Sequence, residues 1–143
     1  MKSFSVWLAE SDYCSGLSIN ADLFWEVPVP FLQVLGKDTL VAALKQAVVS
    51  SNMKIFDERL TKYSPNPEHG FSYLIVLGQS HMMIHTWPEE KMMNLDIFTC
   101  GNEGNPQRAL ESLKMQLKPA HVQFREVKRG IRKDIKSTSE NPM

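Results

Sequence analysis

The sequence has little of several features that would assign it to a broad class of protein. Its 143 residues contain only two cysteines, Cys14 and Cys100, and no C-x-x-C pair, so we expect free thiols and no cysteine-rich metal site. Lysine plus arginine and aspartate plus glutamate both number 16, which gives no basic excess for nucleic-acid binding. No run approaches the roughly 18 apolar residues of a membrane-spanning helix, and the first residues lack the apolar core of a signal peptide. We therefore expect a cytoplasmic protein with no nucleic-acid or membrane partner.

The first third of the chain predicts one strand, an irregular stretch and one helix. Apolar side chains alternate over residues 3–10, which is typical of a strand. The stretch from Cys14 to Leu35 contains two prolines, so we predict irregular structure with one short helix near residues 21–25. An apolar period of about 3.6 residues then predicts a helix that Asp38 or Thr39 caps and that ends near Asn52.

The rest of the chain predicts mostly strands. The apolar run Phe71–Leu77 is typical of a central strand that is covered on both faces. A second helix is predicted after Asn105 as cap and Pro106 at its first position, and Pro119 should end it. The strands predicted beside these elements cover residues 53–63, 81–87, 92–100 and 122–127, with short turns between the middle ones.

This order of elements indicates one α+β domain over residues 1–130. Two main helices are expected to pack on one face of a mainly antiparallel sheet, as a two-layer sandwich. Apolar residues almost vanish from Lys128 onwards, so residues 131–143 are expected to form a mobile polar tail.

The chemistry is concentrated between residues 78 and 101. Because side chains alternate along a strand, one face of the strand 81–87 should carry His81, Met83, His85 and Trp87, with Glu89 just beyond it. Asp96, Phe98 and Cys100 should share a face of the next strand, so the thiol could lie near that row if the register permits. The two histidines have H-x-x-x-H spacing, but on a strand they would lie roughly 13 Å apart and could not share one metal ion.

Each of these residues also has a purely structural interpretation. A histidine on a strand is commonly a hydrogen-bonded structural residue, and a thiol near a strand end is commonly a small buried apolar group. Tryptophan commonly belongs to the core, and a serine in a turn commonly hydrogen-bonds the backbone. The clustering favours a catalytic site, although no single residue does so.

The residues 79–101 resemble one known family. Q-S-H-M-M-I-H-T-W-P-E at residues 79–89 and D-I-F-T-C-G at residues 96–101 are similar to E-S-H-x-x-I-H-T-W-P-E and D-x-F-T-C-G of the prokaryotic S-adenosylmethionine decarboxylase proenzymes. The spacing from Ser80 to Cys100 also agrees. The resemblance extends more loosely through Gly130 but does not account for the stretch from Cys14 to Leu35.

The resemblance implies a self-cleaving enzyme. Ser80 would attack the carbonyl of Gln79 to give an ester, and elimination would then split the chain into a β chain, residues 1–79, and an α chain, residues 80–143. The former Ser80 would become a pyruvoyl group, which forms a Schiff base with the substrate amine and accepts electrons when carbon dioxide leaves. The implied reaction converts S-adenosylmethionine to its decarboxylated form for spermidine synthesis, in a homodimer with active sites at or near the interface.

The resemblance also implies roles for single residues. His85 matches the base that takes the α proton of Ser80 during cleavage, and Ser72 matches a serine that stabilises the processing intermediate. Cys100 matches the acid that returns a proton to the substrate. The substrate-binding residues would be Tyr63 and Trp87, which match the aromatic pair around adenine, and Glu89, which matches the carboxylate on the ribose hydroxyls.

The sequence departs from the family pattern in ways that keep two alternatives open. Gln79 replaces a glutamate, Tyr63 replaces a phenylalanine, and the segment from Tyr63 to Gly70 is longer than the family's F-x-P-x-G. Phe71 and Tyr73 also flank Ser72 where small residues are common, and we expect these changes to line the substrate pocket. The altered segment leaves ornithine or arginine open as substrate. Gln79 leaves open an unprocessed paralogue that regulates an active partner.

Overall fold

The computed structural model describes residues 16–100 and 104–130. The strand predicted over residues 3–10, Cys14, Gly101 and the tail predicted over residues 131–143 lie outside these ranges. The described residues form six strands, two α-helices and three short 3-10 turns. The strands are β1 (Gly16–Phe24), β2 (Asp57–Lys62), β3 (Phe71–Leu77), β4 (Ser80–Trp87), β5 (Met92–Cys100) and β6 (His121–Arg129), and the helices are α1 (Lys37–Ser50) and α2 (Pro106–Leu117).

The strands form one antiparallel sheet in the order β2-β3-β4-β5-β1-β6. One face of this sheet lies under the two helices and forms the core, which confirms the predicted α+β arrangement. The other face carries the alternate side chains and has no helix over it among the described residues; we call it the open face. Among the described residues, no helix is long and apolar enough to cross a membrane.

The helices agree well with their predictions. The buried positions of α1 are the predicted Leu40, Ala43, Leu44, Ala47 and Val48. Its start was predicted wrongly, because the helix begins at Lys37 after Gly36 and no side chain caps it. In α2 the Asn105 side chain accepts a hydrogen bond from the Arg108 amide at 3.0 Å, which confirms the predicted cap.

The prediction of irregular structure up to Leu35 holds for residues 25–35, which contain only short 3-10 turns, but it was wrong for residues 16–24. Gly16–Phe24 is a strand and residues 21–25 form no helix. Ile19, Ala21 and Leu23 point into the core while the polar residues between them point to the open face. The strand exists because β5 and β6 pair with it on both sides, which supplies backbone partners that a local pattern does not reveal.

Three other predictions need correction. Strand β2 begins at Asp57, because residues 51–53 end helix α1 through hydrogen bonds to its last carbonyls. Strand β3 is covered by helices on one face only, and its Leu74 and Val76 lie half-buried on the open face. Strand β6 continues two residues beyond its predicted end, through Arg129, because it pairs with β1 as far as Gly16.

Candidate active site

A hydrogen-bonded cluster of three side chains lies near the C-terminal end of β4, which is the end at Trp87. Ser72 on β3 and His85 on β4 are directly opposite each other in the sheet, and Tyr63 follows the last residue of β2. The Ser72 Oγ is 2.6 Å from His85 Nδ1 and 2.6 Å from the Tyr63 hydroxyl, which is itself 3.4 Å from Nδ1. Hydroxyl and imidazole groups can each donate or accept, so this cluster can relay a proton. We call it the proton-transfer cluster.

A second cluster lies at the opposite end of β4. Gly78, with a φ of +74°, turns the chain between β3 and β4 and so places Gln79 and Ser80 at the start of β4. The Cys100 amide donates to Ser80 Oγ at 3.0 Å, and the Cys100 thiol donates to Gln79 Oε1 at 3.5 Å. Ser80 is only 7% exposed. We call these three residues, Gln79, Ser80 and Cys100, the cleavage cluster.

The two clusters are separate within one chain. His85 lies five positions after Ser80 on a regular strand, which corresponds to about 17 Å at a rise of roughly 3.3 Å per residue. The odd spacing also puts their side chains on opposite faces, with Ser80 towards the core and His85 on the open face. The predicted shared face of Asp96, Phe98 and Cys100 is confirmed, but the register places Cys100 beside the start of β4 and not beside His85.

The residues predicted to bind a nucleoside lie around one cavity of about 580 Å³ beside the proton-transfer cluster. Its walls include Tyr63 and Trp87, whose ring centres are 6.5 Å apart and whose planes are tilted by 36°. Glu89 lies on the 3-10 turn Pro88–Glu90 and lines the same cavity. An aromatic pair with a nearby carboxylate can stack a flat base and accept hydrogen bonds from hydroxyl groups.

The segment from Ser64 to Gly70 forms an ordered wall of this cavity. Asn66 Oδ1 accepts the Glu68 amide at 2.9 Å, so its Nδ2 faces His69 Nε2 at 3.3 Å. Because Nδ2 can only donate, Nε2 accepts, and His69 Nδ1–H then donates to Ser64 Oγ at 2.7 Å. The added length therefore folds on itself and brings Glu68 and His69 to the cavity.

Backbone hydrogen bonds fix this wall of the cavity to the rest of the molecule. Backbone amides of Val34 and Leu35 donate to the His69 and Pro67 carbonyls at 2.9 and 2.8 Å. A Cβ on Gly70 would lie 2.3 Å from the Thr86 carbonyl oxygen, so only glycine fits there. Gln33, which directly precedes Val34, also lines the cavity. The expectation that the segment from Tyr63 to Gly70 lines the pocket agrees with the structure, whereas sequence reasoning missed Gln33, because its approach to the cavity depends on chain pairing that no local motif encodes.

Two predicted pocket residues belong to the core. Phe71 and Tyr73 are 0% and 3% exposed and point under the helices, so the expectation that they line the substrate pocket was wrong. The Tyr73 hydroxyl donates to the Glu58 carboxylate, which also pairs with Lys45 at 3.3 Å. Burial raises the pKa of Tyr73, and the hydrogen bond from Tyr73 lowers the pKa of Glu58. Gln79 does not line the nucleoside cavity either.

Comparisons with known proteins show the family to which this chain belongs. The profile of the family described as S-adenosylmethionine decarboxylase matches residues 29–130. An S-adenosylmethionine decarboxylase proenzyme of Thermococcus kodakarensis is 34% identical over 103 residues, which are 71% of this chain and 70% of that protein. One of Hydrogenobaculum sp. is 32% identical over 121 residues, 85% of this chain and 86% of its own. The crystal structure of the adenosylmethionine decarboxylase from Aquifex aeolicus VF5 is 29% identical and superposes with a TM-score of 0.69, covering 82% of this chain and 92% of that one.

Proposed function

We propose that this chain, which belongs to the S-adenosylmethionine decarboxylase family, cuts itself between Gln79 and Ser80 and then decarboxylates S-adenosylmethionine. The product would supply aminopropyl groups for spermidine synthesis in the cytoplasm. The observation that carries the proposal is the placement of Tyr63, Trp87 and Glu89 around one cavity, next to the proton-transfer cluster that Tyr63 joins through its hydroxyl.

The self-cleavage is assigned to residues of the cleavage cluster. Ser80 Oγ attacks the carbonyl carbon of Gln79, which forms an ester and releases the Ser80 amine. Removal of the Ser80 α proton then expels the Gln79 carboxylate and separates residues 1–79 from residues 80–143. The remaining enamine tautomerises to an imine, and water releases ammonia from it to leave the pyruvoyl group. Ser80 fits this role because it directly follows Gln79 at a tight turn and the Cys100 amide holds its Oγ.

The pyruvoyl group would supply a carbonyl that bonds the substrate amine and an electron sink for the loss of carbon dioxide. The chain's own residues would do the rest. Trp87 and Tyr63 would hold the base of the nucleoside, and Glu89 would accept hydrogen bonds from its ribose hydroxyls. The Cys100 thiol would return a proton to the substrate α carbon, since the Cys100 amide contacts Ser80, which becomes the new carbonyl, and the thiol contacts the adjacent Gln79.

We further propose that two copies of the chain complete each active site. Within one chain His85 lies about 17 Å along β4 from Ser80, at roughly 3.3 Å per residue, and cannot take its α proton. The open face, whose half-buried apolar residues include Leu74, Met83 and Phe98, suits a homodimer contact. A two-fold axis across the strands would bring the partner's His85 to the Ser80 and Cys100 end of this chain. The proton-transfer and cleavage clusters would then meet between subunits.

A second substrate class keeps one observation in its favour. The longer segment places the Glu68 carboxylate on the cavity that Glu89 also lines, so two carboxylates border one binding space. A basic amino acid such as ornithine or arginine carries a side-chain cation that a second carboxylate would bind. The aromatic pair argues against ornithine, which has no planar group to stack, but it also suits arginine, whose planar guanidinium stacks on aromatic rings.

Two measurements on purified protein test the proposal. Intact mass should give two fragments that meet between Gln79 and Ser80, the second one starting with a pyruvoyl group. Release of labelled carbon dioxide, assayed side by side, should be rapid from S-adenosylmethionine and absent from ornithine and arginine. A single full-length mass would contradict self-cleavage and favour the unprocessed regulatory paralogue. Release from ornithine or arginine alone would replace the substrate but keep the chemistry.

A further inference from the structure

Strands β1 and β5 carry two asparagine–aspartate pairs on neighbouring positions of the open face. Asp22 lies opposite Asn94, and Asn20 lies opposite Asp96, so the second pair has the reverse order. The Asn94 Nδ2 donates to Asp22 Oδ1 at 2.7 Å, and the Asn20 Nδ2 donates to Asp96 Oδ1 at 3.0 Å. The two pairs have the same chemistry but differ in their further hydrogen bonds.

Both pairs line a second cavity that His85 also lines, but only the first pair hydrogen-bonds to a residue of the nucleoside cavity. The Trp87 indole Nε1–H donates to Asn94 Oδ1 at 2.6 Å, which makes a chain of two hydrogen bonds from Trp87 through Asn94 to Asp22. The chemistry allows one amide orientation, because the indole can only donate and the ionised carboxylate can only accept. Asn94 therefore holds the indole while Asp22 holds Asn94.

We propose that Asn94, backed by Asp22, is a positioning residue that fixes the Trp87 ring for base stacking; this inference rests on the proposed function. Trp87 is 39% exposed and needs an anchor, because one face of a stacking ring must stay open to the ligand. Asn94 also fixes the position of the Trp87 ring relative to His85, since Asn94 lies opposite His85 in the sheet. The Asn94 side chain thus links the orientation of the Trp87 ring, which would stack on the nucleobase, to the position of His85, which would act as the proton acceptor.

The substrate affinity and the chemical step should respond differently to loss of this anchor. Stacking on Trp87 stabilises the bound substrate and the transition state equally. Loss of the stacking should therefore raise KM more than it lowers kcat. Removal of a hydrogen bond of ordinary strength predicts about a tenfold rise in KM. The cut between Gln79 and Ser80 should be unchanged, because the described hydrogen bonds of Asn94 and Asp22 involve neither the cleavage cluster nor the His85 ring, which is held by Ser72 and Tyr63.

The test compares Asn94→Leu with its matched control Asn20→Leu, which removes the neighbouring pair on the same two strands. Asn94→Leu should raise KM for S-adenosylmethionine about tenfold with kcat within about threefold, and Asn20→Leu should leave both near wild type. The ¹H–¹⁵N indole resonance of Trp87, assigned by its disappearance in Trp87→Phe, should shift in Asn94→Leu and stay in place in Asn20→Leu.

A second pair of variants covers the case in which Asn94→Leu does not fold. Asp22→Ala removes the carboxylate that holds Asn94 and should raise KM, whereas Asp22→Asn keeps an acceptor and should restore the wild-type value. Equal KM values for the Asn94 and Asn20 variants, or an unmoved Trp87 resonance, would overturn the positioning role while leaving the decarboxylase intact. A wild-type protein without activity on S-adenosylmethionine would instead remove the proposed function, and the positioning role with it.

Discussion

The two ends of strand β4 carry different parts of the proposed chemistry. At one end Ser72, His85 and Tyr63 form a hydrogen-bonded proton-transfer cluster on the open face. At the other end Ser80 is buried towards the core and held by the Cys100 amide. The two ends adjoin in the sequence but lie about 17 Å apart along the strand, at roughly 3.3 Å per residue. The dimer that we propose would join them.

Replacement of the serine at the cleavage end should have the largest effect. Ser80→Ala removes the only hydroxyl that can attack the Gln79 carbonyl and become the pyruvoyl group, so cleavage and decarboxylation should both be lost. Intact mass and carbon dioxide release are the measurements. Ser112→Ala on helix α2, distant from both clusters, is the control and should be split normally; a split Ser80→Ala protein would refute the processing scheme.

The Cys100 thiol should matter for turnover and not for cleavage. In Cys100→Ala the backbone amide that holds Ser80 Oγ remains, so the chain should still be cut. Loss of a positioned acid predicts a decrease in kcat of about 10²- to 10⁴-fold. Single-turnover decarboxylation and intact mass on the same preparation separate the two steps. Unchanged turnover would show that another group returns the proton.

The nucleoside cavity beside the proton-transfer end should control affinity. Trp87→Ala removes one stacking surface, and we expect KM for S-adenosylmethionine to rise about tenfold or more. Trp87→Phe keeps a flat ring and should lie closer to wild type. Cleavage should be normal in both variants. A large decrease in kcat with an unchanged KM would place Trp87 in the chemistry instead of in binding.

The side chain at position 79 should have the smallest effect. The attacked group is the backbone carbonyl, and the observed contact of the side chain is a weak hydrogen bond from the Cys100 thiol. Gln79→Glu restores the family's usual residue and makes that contact charge-assisted, for which we expect cleavage to accelerate by about threefold at most. The half-time of cleavage, followed by intact mass after synthesis, measures it. If the wild type did not cleave and Gln79→Glu cleaved rapidly, the side chain at position 79 would be essential for cleavage.

Local patterns predicted the elements that local forces determine. The apolar period of α1, the Asn105 cap of α2 and the alternation along β4 all depend on neighbours in the sequence, and the structure confirms them. Strand β1 was missed, because its stability comes from pairing with β5 and β6 on both sides. Two prolines that follow the strand made the whole stretch look irregular.

The faces on which the candidate site residues lie were predictable from the sequence, but the layout of the site was not. Alternation placed His85 and Trp87 on one face, and the structure agrees. The distance between Cys100 and His85 depends on the register of β4 and β5, which the turn that ends at Lys91 determines. The hydrogen bond from Trp87 to Asn94 depends on the same register, and no pattern in the sequence predicts it.

Co-expression of two defective chains tests most directly whether the two ends of β4 act across a dimer. His85→Ala keeps Ser80 but lacks the base, and Ser80→Ala keeps the base but lacks the serine, so neither should be cut efficiently alone. In a mixed dimer the Ser80 of one chain meets the partner's His85, and we predict that the His85→Ala chain, distinguished by a mass tag, is then split between Gln79 and Ser80. An uncut His85→Ala chain in a mixed dimer verified by native mass would contradict the shared site.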